Sequence, residues 1–76
     1  MNLPTPTPRL LTVYAADGVV LASVQSKSNA RRISVCGAAD QRQLDALAAQ
    51  HPAAVTAKID DATFKVVNGR TSYVGG

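Results

Sequence analysis

The sequence predicts an α+β fold: a small antiparallel β-sheet of about four to six short strands with one helix packed on one face. Three observations predict it. Asp17-Gly18 and Asn68-Gly69 each stand between runs of alternating side chains, the pattern of a tight β-hairpin. Asp40 to His51 carries its apolar residues at helical rather than strand spacing. The chain has 76 residues, enough for one domain and no more. The organisation read from it is a flexible Pro-rich arm (1–8), a single α+β domain (9–74) and a flexible Gly-Gly end (75–76).

Pro4, Pro6 and Pro8 remove backbone donors and favour extended, polyproline-like geometry, so the arm is neither a helix nor a central strand. Its spacing does not make a P-x-x-P ligand. It is read either as a frayed end or as a semi-rigid arm that docks on a partner through Leu3, Pro4, Pro6, Pro8 and Arg9.

Arg9 to Gln25 is the first hairpin. A two-residue turn at Asp17-Gly18, with positive φ at both positions, pairs Ala15 with Val20, Val13 with Ala22 and Leu11 with Val24. Those six residues make a wholly apolar face that should meet the core. The other face pairs Tyr14 with Leu21, Thr12 with Ser23 and Leu10 with Gln25, a mixed outer surface.

Gln25 to Arg32 is a polar, basic connection in which Lys27, Arg31 and Arg32 lie close enough to contact phosphates or an acidic protein surface. Arg31 to Cys36 alternates as a third strand, with Ile33 and Val35 inward. Asp40 and Gln43 resemble a capping box opening a helix. Leu44, Leu47, Ala48 and His51 share its inner side; Arg42, Asp45 and Ala49 share its outer side. Pro52 ends the helix near Gln50 or His51. Ala54 to Asp60 alternates again, with Val55, Ala57 and Ile59 inward. Thr63 to Val74 closes the chain as a hairpin about Asn68-Gly69, with Phe64 facing Tyr73 and Val66 facing Thr71.

Composition narrows the function classes. The formal net charge is +3, and all five acids are Asp. One Cys allows no internal disulfide. No apolar run approaches the roughly 20 residues that span a bilayer. No basic region followed by an apolar stretch opens the chain, so a cytoplasmic protein is the expectation. Cys36 and His51 are the single nucleophile and base of their kinds, but they flank the helix. At 1.5 Å per residue its ends lie about 15 Å apart, so catalysis by the pair is not expected. Asp60 and Asp61, read within a strand, point to opposite faces and do not form an acid/base pair. One His, one Cys and scattered Asp have no metal-ligand spacing. No catalytic residue, cofactor, metal or small-molecule substrate is expected.

In size, layout and Ala-rich composition the chain resembles small bacteriophage host-takeover proteins. One such group is the phage regulators that bind host RNA polymerase, the Xanthomonas-phage transcription inhibitor and antiterminator type. The other is the anti-CRISPR proteins, several of which pair a short antiparallel sheet with one or two helices. The likeness is architectural and transfers no functional residue. It implies a non-enzymatic regulator that binds host RNA polymerase and inhibits or modulates transcription. Leu3 to Arg9 would contact the polymerase, and Lys27, Arg31 and Arg32 would lie near an acidic surface or nucleic acid. Tyr14, on the outer face, belongs to the same set. The alternatives are an anti-CRISPR that blocks a CRISPR complex, a small nucleic-acid-binding protein, and a ubiquitin-like sulfur carrier. The carrier reading rests on the opening hairpin, the single helix and Gly75-Gly76.

Overall fold

The computed structural model describes residues 9–26 and 38–75. Its elements are β1 (Leu10–Tyr14), β2 (Val20–Gln25), α1 (Ala38–Ala49), β3 (Thr56–Ile59), β4 (Ala62–Val67) and β5 (Arg70–Gly75). The strands form one sheet in the order β2-β1-β3-β4-β5, and every neighbouring pair is antiparallel. The helix packs on one face, so the fold class is the one the sequence predicts. The arm (1–8), the expected strand Arg31 to Cys36 and Gly76 lie outside the described residues. Gly75, expected in a flexible end, is the last residue of β5 and pairs with Thr63.

The first hairpin differs from expectation at its tip. Ala15 N–H donates to the Val19 carbonyl, and Gly18 N–H donates to the Ala15 carbonyl, both at 2.9 Å. The loop is therefore three residues, Ala16-Asp17-Gly18. Gly18 takes positive φ (85°) and Asp17 does not; a turn followed by a left-handed glycine closes such loops. Asp17 Oδ1 also accepts the Val19 N–H at 3.1 Å. The longer loop offsets the strands by one residue, pairing Tyr14 with Val20, and a bulge at Leu21 removes the offset. From Val13↔Ala22 to Leu10↔Gln25 the register is the expected one.

The bulge redistributes the faces. Leu21, expected outside, packs against the core beside Ala22, because two successive residues of a bulge oppose one residue of the partner strand. Val20 and Val24, expected beneath the helix, are exposed; β2 is an edge strand, and the helix lies over β1, β3 and β5. The core is Leu11, Val13, Ala57, Ile59, Phe64 and Val66 from the sheet, Leu44, Leu47 and Ala48 from α1, and Ala54 before β3. Val55, expected inward, is exposed, and Ala54 takes its place. Burying a side chain such as Leu11, Leu44 or Ile59 stabilises the fold by about 1.5–3 kcal/mol each.

The second hairpin matches expectation. Phe64 faces Tyr73 and Val66 faces Thr71, and Asn68 and Gly69 both take positive φ, 53° and 73°. The Phe64 and Tyr73 rings meet edge-on with centroids 5.7 Å apart. Asp60-Asp61 is a two-residue turn between Ile59 and Ala62 rather than part of a strand. Asp60 adopts positive φ (49°), which a short polar side chain tolerates. Its Oδ1 accepts the Leu10 N–H at 2.8 Å, fixing the start of β1.

Candidate functional site

Two places in the fold gather the chemically capable side chains: one corner of the sheet, and the face turned away from the helix.

The corner is where β1 begins, β2 ends and α1 begins. Ser26 N–H donates to the Arg9 carbonyl at 2.7 Å, extending the β1–β2 ladder by one step. Arg9 Nη1 pairs with Asp40 Oδ2 at 2.9 Å, and the side chains are only 13% and 1% exposed. Ser26 Oγ donates to the other carboxylate oxygen of Asp40. Gln43 Nε2 donates to the Gln25 carbonyl at 3.1 Å. These contacts correct two expectations. Asp40 lies in the first turn of a helix that begins at Ala38, so it is a buried tie between elements rather than a capping residue. Arg9, expected to face a partner, spends its guanidinium inside the fold. A buried carboxylate is stable only with such a counter-charge and hydrogen bonds.

Asp45 is the second internal tie. It was expected on the outer side of the helix, but its Oδ1 accepts the Thr71 N–H at 2.8 Å and the Thr71 hydroxyl. Gln41 Nε2 donates to the Thr71 carbonyl at 3.0 Å. Helix and β5 are thereby clamped along Thr71. Every buried side-chain polar atom among the described residues has a hydrogen-bond partner.

The sheet face opposite the helix carries Leu10, Thr12, Tyr14, Thr56, Lys58, Thr63, Lys65, Val67, Arg70 and Ser72, by the strand registers. Tyr14 is half-buried there, as the sequence placed it. It lines a hollow of about 330 Å³ with Ala15, Ala16, Gly18, Thr56 and Lys58. Lys58 faces Thr63, Lys65 faces Thr56 and Ser72, and Arg70 faces Val67. Each of these cations is thus one strand across and two residues along from the last, a diagonal step of about 7–8 Å. None is in an ion pair among the described residues. The sequence alternation already turned Lys58 outward; that Lys65 and Arg70 continue its line needed the pairing of three strands.

His51 follows the helix, half-buried, and lines a hollow of about 360 Å³ with Pro52, Ala54, Val66 and Asn68. No other titratable side chain lines it. Cys36 lies outside the described residues, as do Leu3, Pro4, Pro6, Pro8, Lys27, Arg31 and Arg32. Among the described residues no group of three His, Cys, Asp or Glu is placed to hold a metal ion, and no helix is long and apolar enough to cross a membrane.

No family model matches the chain, and no curated protein or solved structure is significantly similar to it.

Proposed function

We propose that this domain is a non-enzymatic regulator that binds bacterial RNA polymerase and modulates transcription. One observation carries the reading as far as a binding module: the Ser26–Arg9 backbone bond sets residues 9 and 26 side by side. The Pro-rich arm (1–8), which precedes Arg9, and the basic residues of the Gln25 to Arg32 connection, which follow Ser26, are therefore attached at one corner of the sheet. That corner is itself held to the helix by Asp40. A rigid anchor with two expected contact segments rooted together suits a module that grips a large partner at one place. Polymerase as the partner rests on the resemblance to small phage transcription regulators. Within the contact set, Leu3, Pro4, Pro6, Pro8, Lys27, Arg31 and Arg32 keep their proposed role, Tyr14 contributes from the open face, and Arg9 acts by holding the corner.

The test is affinity capture of tagged chain from a bacterial lysate, followed by binding to purified polymerase. Enrichment of polymerase subunits that is lost on deleting residues 1–8, with the fold retained by circular dichroism, supports the reading. Enrichment of a CRISPR complex or an activating enzyme instead of polymerase refutes it.

A further inference from the structure

We infer that the sheet face opposite the helix binds a single strand of nucleic acid, its phosphates tracking the line Lys58–Lys65–Arg70 and one unstacked base entering the hollow at Tyr14. The inference does not depend on polymerase being the partner.

The three cations lie on one face of adjacent strands, and the five Asp residues are committed elsewhere. Asp40 is buried against Arg9, and Asp45 is bound to Thr71. Asp17 sits in the hairpin loop, where its Oδ1 accepts the Val19 N–H. Asp60 and Asp61 form the turn that follows β3, at the rim of the face beyond Lys58, where Asp60 accepts the Leu10 N–H. The interior of the face, around Lys65 and Arg70, therefore carries cations and no carboxylate, which suits a polyanion. Thr56 and Thr63 stand between the cations and add hydroxyl donors of the kind that contact phosphate oxygens.

The shape of the face favours a single strand over a duplex or an acidic protein. The cations form a single diagonal file rather than two rows. Beside the file, the hollow of about 330 Å³ has Tyr14 and Lys58 in its wall. A base freed from its stack can lie on an aromatic ring there while the neighbouring phosphate meets the lysine. Bases inside a duplex are not free to do so, and an acidic peptide has no planar group that requires the ring.

Fluorescence anisotropy with labelled 12-nucleotide oligo-dT and oligo-U, titrated at several salt concentrations, tests this. The wild-type chain should bind, with log K falling linearly in log salt. The triple variant Lys58→Gln/Lys65→Gln/Arg70→Gln should lose about 2 from that slope, since each single-strand phosphate contact contributes roughly 0.7. Tyr14→Ala should weaken binding on the order of tenfold with the slope unchanged, and Tyr14→Phe should restore it. Lys65 and Arg70 are exposed and Lys58 is half-buried, so the triple variant should keep the wild-type circular dichroism. If Tyr14→Ala alters the fold, the triple variant and Tyr14→Phe still decide. Absence of oligonucleotide binding overturns the inference. So does binding whose salt slope the triple variant leaves intact, or equal binding to a poly-aspartate peptide through the same three cations, which would assign the face to an acidic protein.

Discussion

Replacing Arg9 with methionine probes the corner next to both proposed contact segments. The variant keeps most of the side-chain volume and removes the charge that faces Asp40 Oδ2 at 2.9 Å. Asp40 is 1% exposed, so its carboxylate cannot turn to water to compensate. Removing one member of a buried ion pair costs about 3–5 kcal/mol. A domain of this size has roughly 4–6 kcal/mol of total stability, so Arg9→Met should retain only about 1 kcal/mol and show a measurable unfolded fraction without denaturant. Asp40→Asn keeps the shape and leaves a guanidinium that is 13% exposed and nearer to solvent, so it should cost about 2 kcal/mol. The double variant removes both charges and should be more stable than Arg9→Met alone by about 1–2 kcal/mol. Urea unfolding followed by far-ultraviolet circular dichroism measures all three, because the chain has no Trp to report by fluorescence. Strict additivity, with the double variant losing the sum of the single costs, would refute the claim that the pair acts as one unit.

Other expectations follow from the packing. Leu44, fully buried at the centre of the core, should cost about 2–5 kcal/mol on truncation to Ala, read as a fall in the urea midpoint. Gly18→Ala and Gly69→Ala both place a side chain at positive φ, which costs about 1–2 kcal/mol. Gly69→Ala should cost more, since its Cβ would lie 3.3 Å from the Ala49 Cβ whereas Gly18 faces open space; comparing the two melting temperatures checks the order. Asp45→Ala strips the acceptor from the Thr71 N–H and hydroxyl and should destabilise by about 1–3 kcal/mol, with faster amide exchange at Thr71 as the local signature.

The sheet was legible where two local signals coincided. Asn68-Gly69 combines a turn that requires positive φ with alternation on both flanks, and Phe64–Tyr73 and Val66–Thr71 pair as read. Asp17-Gly18 was legible as a hairpin but not in its loop length. Two-residue and three-residue loops both use a left-handed glycine, and the choice between them is made by the bulge at Leu21, which tertiary packing favours by bringing Leu21 to the core. Leu44, Leu47 and Ala48 followed from helical spacing, whereas the roles of Asp40 and Asp45 did not. A helical Asp looks the same in sequence whether it caps its own helix or faces solvent, as Asp40 and Asp45 are read, or reaches across to Arg9 or Thr71. The turn at Asp60-Asp61 is not legible in sequence because it contains no Gly; Asp60 reaches positive φ with its side chain bound to Leu10. The file of cations was invisible for a related reason, since Lys58, Lys65 and Arg70 are scattered in sequence and align only when β3, β4 and β5 are in register.

Transcription by purified bacterial RNA polymerase in the presence of the purified chain tests the proposed function most directly. Transcript yield or terminator read-through should change in a dose-dependent way. The change should disappear when residues 1–8 are deleted and persist in the Leu44→Val variant, which weakens the core and leaves the corner intact. Transcription unaffected by the wild-type chain at concentrations well above that of the polymerase would contradict it.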